Sequence, residues 1–153
     1  MRSKSAVVLI LGLLLVVPVV SGATEPPNGF RNIEWGSSPN ASLKNFSGPT
    51  SDGITIYVPA SGNPPPPLFE VPVAEEAYCF SEDKFYSGSA WFDGQGNFEK
   101  LKDALLNAYG QPSFVNEKMI LWKWKWPQKQ IEVHLYYQAK FSRTTVTFVN
   151  NAI

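Results

Sequence analysis

The stretch Asn97 to Pro112, NFEKLKDALLNAYGQP, constrains this chain more than any other. Phe98, Leu101, Leu105, Ala108 and Tyr109 recur at three- and four-residue steps, with Glu99, Lys100, Lys102, Asp103 and Asn107 between them. That spacing predicts a single helix of about three turns with one buried stripe and one wet face. Asn97, after a Gly-Gln-Gly turn, is placed to cap the free amides of the first turn. Gly110 suits a left-handed C′ position, and Pro112 bars continuation. A lone helix of this length is marginal in water, so its stripe must lie on something. The strand-like segments on either side of it are the obvious surface.

Those segments can be read in order. Phe30 to Gly36 is a short extended piece with large apolar groups, after a polar lead-in, Thr24 to Gly29, that is expected to be mobile. Ser37-Ser38-Pro39 reads as a helix start with Ser38 as cap, and Ala41, Leu43 and Phe46 give a stripe of one or two turns. Gly53 to Pro59 is β-branched and aromatic with alternation, hence a strand. The four prolines Pro64 to Pro67 take the polyproline II form and read as a stiff surface loop. Val73 to Phe80 and Lys84 to Phe92 flank Ser81-Glu82-Asp83 as a hairpin. In the second of these strands, strict alternation puts Phe85, Ser87, Ser89 and Trp91 on one face and Tyr86, Gly88, Ala90 and Phe92 on the other. After the helix, Met119 to Trp126, Gln130 to Tyr137 and Ser142 to Val149 are three further strands. The expected fold is α+β: a mostly antiparallel sheet of about five to six strands, with one main helix on one face.

The first residues carry an address. Arg2 and Lys4 precede an uncharged run from Ala6 to Val20, followed by Ser21-Gly22-Ala23. This is the pattern of a secretory signal peptide, with cleavage expected after Ala23, or after Gly22 as second choice. The run is short for a spanning helix, and Gly12 and Pro18 interrupt it. Residues 1–23 are therefore read as leader and 24–153 as one exported domain, with no stable membrane span once the leader is gone. Of the 13 Lys and Arg, Arg2 and Lys4 belong to the leader, leaving 11 against 13 Asp and Glu. A formal charge of −2 gives no pull towards nucleic acid. Cys79 is the only cysteine, so no intramolecular disulfide supports the fold.

Several short pieces resemble a group of small exported bacterial proteins that carry a "YGxP" helix end and have no assigned activity. They are Phe30-x-x-Ile33-x-Trp35-Gly36, the hairpin Tyr78 to Tyr86, Asn97-Phe98 opening the helix, Tyr109-Gly110-x-Pro112, and the Trp-rich strand. The resemblance spans most of the chain beyond the leader, though the four-proline insert is not part of the pattern. It implies a bacterial envelope location and an α+β fold, and it carries over no catalytic residue.

Candidate chemistry is sparse. Cys79 and His134, the only histidine, would make a thiol nucleophile and its base, the signature of a hydrolase or redox enzyme. Both fall mid-strand, where a packed cysteine and a surface histidine are the plainer account. One His, one Cys and scattered carboxylates do not supply a metal-ligand spacing, so no metal and no cofactor are expected. Glu75-Glu76 and Glu82-Asp83 read as solvated charge. Asp93-Gly94-Gln95-Gly96-Asn97 lacks the ligand spacing of a calcium loop and reads as a turn and cap. The two acceptor patterns Asn40-Ala41-Ser42 and Asn45-Phe46-Ser47 would carry sugar only in a eukaryotic secreted protein.

Leu121-Trp122-Lys123-Trp124-Lys125-Trp126 is the most unusual stretch. As a strand it puts Trp122, Trp124 and Trp126 on one face and the lysines on the other. Either the helix buries the indoles, or they form an aromatic platform for sugar rings or a partner protein. Nucleic-acid stacking would want basic groups beside the rings, and the alternation puts them opposite. The resulting expectation is a non-enzymatic binding or accessory domain for an envelope protein or glycan.

Overall fold

The computed structural model describes residues 24–153; the leader expected over residues 1–23 lies outside the described residues. The elements run β1 (Gly29–Phe30), β2 (Ile33–Glu34), β3 (Leu43–Ser47), β4 (Ile54–Pro59), β5 (Glu75–Ser81), β6 (Lys84–Asp93), α1 (Gly96–Tyr109), β7 (Phe114–Asn116), β8 (Leu121–Trp126), β9 (Ile131–Gln138) and β10 (Arg143–Asn150). A 3₁₀ turn, Ala139–Phe141, precedes β10. β1 and β2 form a two-stranded hairpin. The other eight strands make one antiparallel sheet in the order β3-β4-β5-β6-β10-β9-β8-β7. Over the described residues the fold is thus mixed, with one α-helix on an antiparallel sheet, and the sheet is larger than the five to six strands expected.

Its topology is two meanders laid side by side. The chain zigzags from β3 to β6, crosses the sheet through α1 to the far edge, and zigzags back from β7 to β10. β10 then pairs with β6 over seven residues, Arg143 against Asp93 through Val149 against Ser87. This seam joins the halves, and α1 lies over β9 and β10 beside it.

The helix buries most of the stripe its periodicity predicts; Ala108, expected within it, is exposed, and Leu106 packs against the core instead. Phe98, Leu101 and Leu105 are buried, and Tyr109 packs at the margin. They meet Val133 and Leu135 of β9, Val146 of β10 and Trp124 of β8, all nearly fully buried. Each large side chain removed from water in this way contributes about 1.5–3 kcal/mol before the entropic cost of ordering it. The helix ends at Gly110, whose φ of 74° is open to glycine and costly for a side chain. Its N–H closes the last turn on the Leu106 carbonyl. At the other end the expected cap is absent: Gln95 is the N-cap residue, and the Asn97 amide instead donates to the Asp93 carbonyl at 2.8 Å.

The β5–β6 hairpin turns through Glu82 and Asp83, both at positive φ (49° and 61°). Positive φ at both central residues is the mark of a type I′ turn, whose twist matches that of the paired strands. A bulge follows, because Phe80 pairs with Phe85 while Cys79 pairs with Ser87. The extra residue, Tyr86, breaks the strict alternation expected of this strand. Phe85 therefore joins Gly88, Ala90 and Phe92 on the core side, and Tyr86 turns to the outer side beside Cys79.

The N-terminal segment completes the core over β5 and β6. Phe30 lies on Tyr78 and Phe148, with ring centroids 5.4 and 5.3 Å apart, and Trp35 stacks on Phe85 at 5.2 Å. Gly88 permits this, since a Cβ there would stand 2.3 Å from the Phe30 ring. The lead-in expected to be mobile is tied down: Trp126 Nε1 donates to the Thr24 carbonyl at 2.6 Å and Trp35 Nε1 to the Pro27 carbonyl at 2.8 Å. The helix expected after Ser38 is also absent. Leu43 to Ser47 instead forms the edge strand β3, held by β4 alone.

Candidate functional site

Trp122, Trp124 and Trp126 lie on the helix-covered face, directly opposite Leu135, Val133 and Ile131 of β9. Trp124 is 1% exposed and its Nε1 donates to the Gly110 carbonyl at 2.8 Å. Trp126 is partly buried, edge-on to Tyr109 at 5.3 Å, and Trp122 is partly buried with the Lys102 ammonium over its ring at 5.3 Å. The three do not form an open platform, because α1, its C-terminal turn and the Thr24 segment take up their faces. Three adjacent indoles are more than one short helix covers, and the lead-in supplies the remaining cover.

Cys79 and His134 both point to the face opposite α1. They stand on β5 and β9, with β6 and β10 between them. Three strand spacings separate those backbones by about 14 Å, so no thiol–imidazole pair forms. Burial pushes the Cys79 thiol up, only partly offset by its hydrogen bond with Tyr86. His134 is lowered by burial, and Lys123 and Lys125 add to this against the stabilising carboxylate of Glu132, whose Oε2 lies 2.6 Å from His134 Nε2. A thiol held in its protonated form is a poor nucleophile. Folded protein is therefore expected to react with a maleimide at neutral pH several-fold more slowly than denatured protein. Labelling equally fast in both states would put Cys79 back among the reactive groups. Among the described residues no group of three or more His, Cys, Asp or Glu is placed to hold a metal.

Among the described residues the face opposite α1 has no helix over it, and its side chains come from alternate positions of the same strands. A row runs across the middle: Lys123, His134, Thr147, Ser89 and Ala77, each opposite the next. The Ser89 and Thr147 hydroxyls share a hydrogen bond of 2.9 Å. A second row carries Tyr136, Thr145, Trp91 and Glu75. Thr145, paired across the strands with Tyr136 and Trp91, is fully buried, and its hydroxyl has no partner among the described residues.

At the β3 end this face sinks into a groove of about 590 Å³. Ile56, Val58 and Ala77 form its floor, Phe46 and Trp91 its sides, and the Ser61–Pro65 loop its end. Phe46 is 71% exposed. Beyond Trp91 a second depression of about 480 Å³ is lined by Asp93, Gln138, Phe141 and Arg143, so Trp91 is the ridge between the two. Glu75 Oε2 and Arg143 Nη1 pair at 2.9 Å across β6 at this ridge.

The proline loop that closes the groove is not free. Arg31 donates to the carbonyls of Pro66 (2.6 Å) and Pro67 (2.9 Å) while its Nε holds Glu76 Oε1 at 2.7 Å. Glu76 is buried, not solvated as expected; the strand alternation leaves only Glu75 in water. Sequence reasoning passed over Trp91 as a site residue. The signal was there, a lone indole sharing a face with Ser87 and Ser89. In comparisons with protein-family models, curated proteins and solved structures, the chain matches none.

Proposed function

We propose that this is an exported, non-enzymatic binding or accessory domain of the bacterial envelope, which takes an envelope protein or glycan on the sheet face opposite α1. The observation that carries this reading is the asymmetry of the sheet. One face is filled by α1 and the N-terminal segment, while the other holds a groove flanked by Phe46 and a second depression lined by Phe141, which are among the most exposed large apolar side chains. Exposed aromatic groups flanking a depression and rimmed by polar ones are what a contact surface presents. The separation of Cys79 from His134 supports binding over catalysis by that pair. The leader and the resemblance to small exported bacterial proteins support the location.

The test is site-specific photo-crosslinking in the cell that exports the protein. A photoreactive residue at Phe46 should give one defined adduct, and the same residue at Asn107, on the wet side of α1, should give none. Equal labelling from both positions, or none from Phe46, would overturn the assignment to this face.

A further inference from the structure

Resting on that reading, we propose that the strip Phe46–Trp91–Phe141 is a glycan-binding site, with Trp91 stacking on a sugar ring and Glu75, Arg143 and Asn63 hydrogen-bonding its hydroxyls. A pyranose presents two kinds of surface: a face of C–H groups that packs on an aromatic ring, and a rim of hydroxyls that both donate and accept. The strip offers both. Trp91 is partly exposed on the uncovered face with a depression on each side, and Phe46 and Phe141 stand at the outer ends of those depressions. The lining of the two depressions beside the indole includes two carboxylates, a guanidinium and two amides, from Glu75, Asp93, Arg143, Asn63 and Gln138. The Glu75–Arg143 contact uses one carboxylate oxygen and one N–H among the described residues, which leaves further acceptor and donor positions for hydroxyls.

The same groups argue against other occupants. An apolar peptide segment laid over the ridge would desolvate Glu75, Arg143 and Asp93 without returning hydrogen bonds, a costly exchange for charges. A nucleic acid would meet the carboxylates of Glu75 and Asp93 beside the stacking ring, against two lining cations, Lys44 and Arg143, of which Arg143 is already paired with Glu75. Hydroxyls satisfy both charges of an ion pair. Phe46 on β3 and Trp91 on β6 are three strands apart, about 14 Å at the usual spacing, and Phe141 lies beyond. The strip therefore suits several linked rings and not a single sugar.

The experiment uses the purified exported protein and hexamers of β-1,4-linked glucose and of β-1,4-linked N-acetylglucosamine, with the matching disaccharides, followed by tryptophan fluorescence and calorimetry. At least one hexamer should bind saturably and its disaccharide much more weakly. Trp91→Ala should weaken the hexamer by about tenfold or more with the melting temperature retained, Trp91→Phe less, and Trp122→Phe not at all. Should Trp91→Ala fail to fold, Phe141→Ala and Glu75→Gln, both at exposed positions, carry the same expectation of weaker binding. Absence of saturable binding to either hexamer, or wild-type affinity in the folded Trp91→Ala or Phe141→Ala protein, overturns the proposal. If the hexamers fail while Phe46 crosslinks to a protein, the open face stands as a protein-binding surface and the glycan assignment falls. If both fail, both readings fall.

Discussion

Glu76→Ala is expected to lower the free energy of unfolding by about 3–5 kcal/mol, the cost of breaking a buried ion pair by removing one partner. The Glu76 side chain is 2% exposed and sits on the core side of β5. Its two oxygens are fully engaged: Oε1 by the Arg31 guanidinium, Oε2 by the Tyr78 hydroxyl at 2.8 Å. Burial, and then the bond to Glu76, push the Tyr78 phenol far above its ordinary value, so it stays protonated and donating. Removing the carboxylate leaves the guanidinium without its counter-charge and the hydroxyl without an acceptor. It also loosens the Arg31 side chain that ties the proline loop through Pro66 and Pro67. The neighbour supplies the control. Glu75 pairs with Arg143 in water, so Glu75→Ala should cost less than about 1 kcal/mol. Denaturant midpoints of the two variants decide it. Similar midpoints would mean that water reaches Glu76 and that the loop is held by something other than Arg31.

The contrast between those adjacent glutamates shows what a sequence of this kind reveals. Alternation along β5 separates Glu75 from Glu76 by face, but composition cannot say which face is wet when the partner of the buried one, Arg31, is 45 residues away. The long, periodic elements were legible: the helix stripe, the 82–83 hairpin and the three strands after the helix all follow from spacing that tertiary packing has no reason to override. The elements that escaped are those without a buried face of their own. In β3 every residue but Leu43 is exposed, and β7 has three residues, so neither carries a period to read. The bulge at Tyr86 is a register event between two strands, invisible along either one alone. For the same reason Phe85 and Trp91, which strict alternation puts together, end on opposite faces. The candidate site depends on that bulge, because it sends Phe85 into the core and leaves Trp91 outside.

Leu105→Ala is the second large effect, about 2–5 kcal/mol from a cavity under α1. Leu105 is 0% exposed in the middle of the stripe, among the Val133, Leu135 and Trp124 cluster. Against a typical stability of about 5–15 kcal/mol this is a large fraction, and a marginal fold would show it as loss of native signal at ordinary temperature. Lys100→Ala, at an exposed position of the same helix, should stay within about 0.5 kcal/mol. Lys102→Ala should fall between them. Although the spacing puts Lys102 on the wet side, its ammonium lies over the Trp122 ring and it pairs with Glu99, contacts worth about 0.5–1 kcal/mol at a partly exposed site. The ordering Leu105, Lys102, Lys100 in denaturant midpoints tests more than packing. It asks whether α1 is fastened to the sheet, which is the condition for the opposite face to be the one left for a ligand. A Leu105→Ala midpoint indistinguishable from Lys100→Ala would mean that the helix lifts from the sheet at little cost. The tryptophan face beneath it would then become the surface to examine for binding.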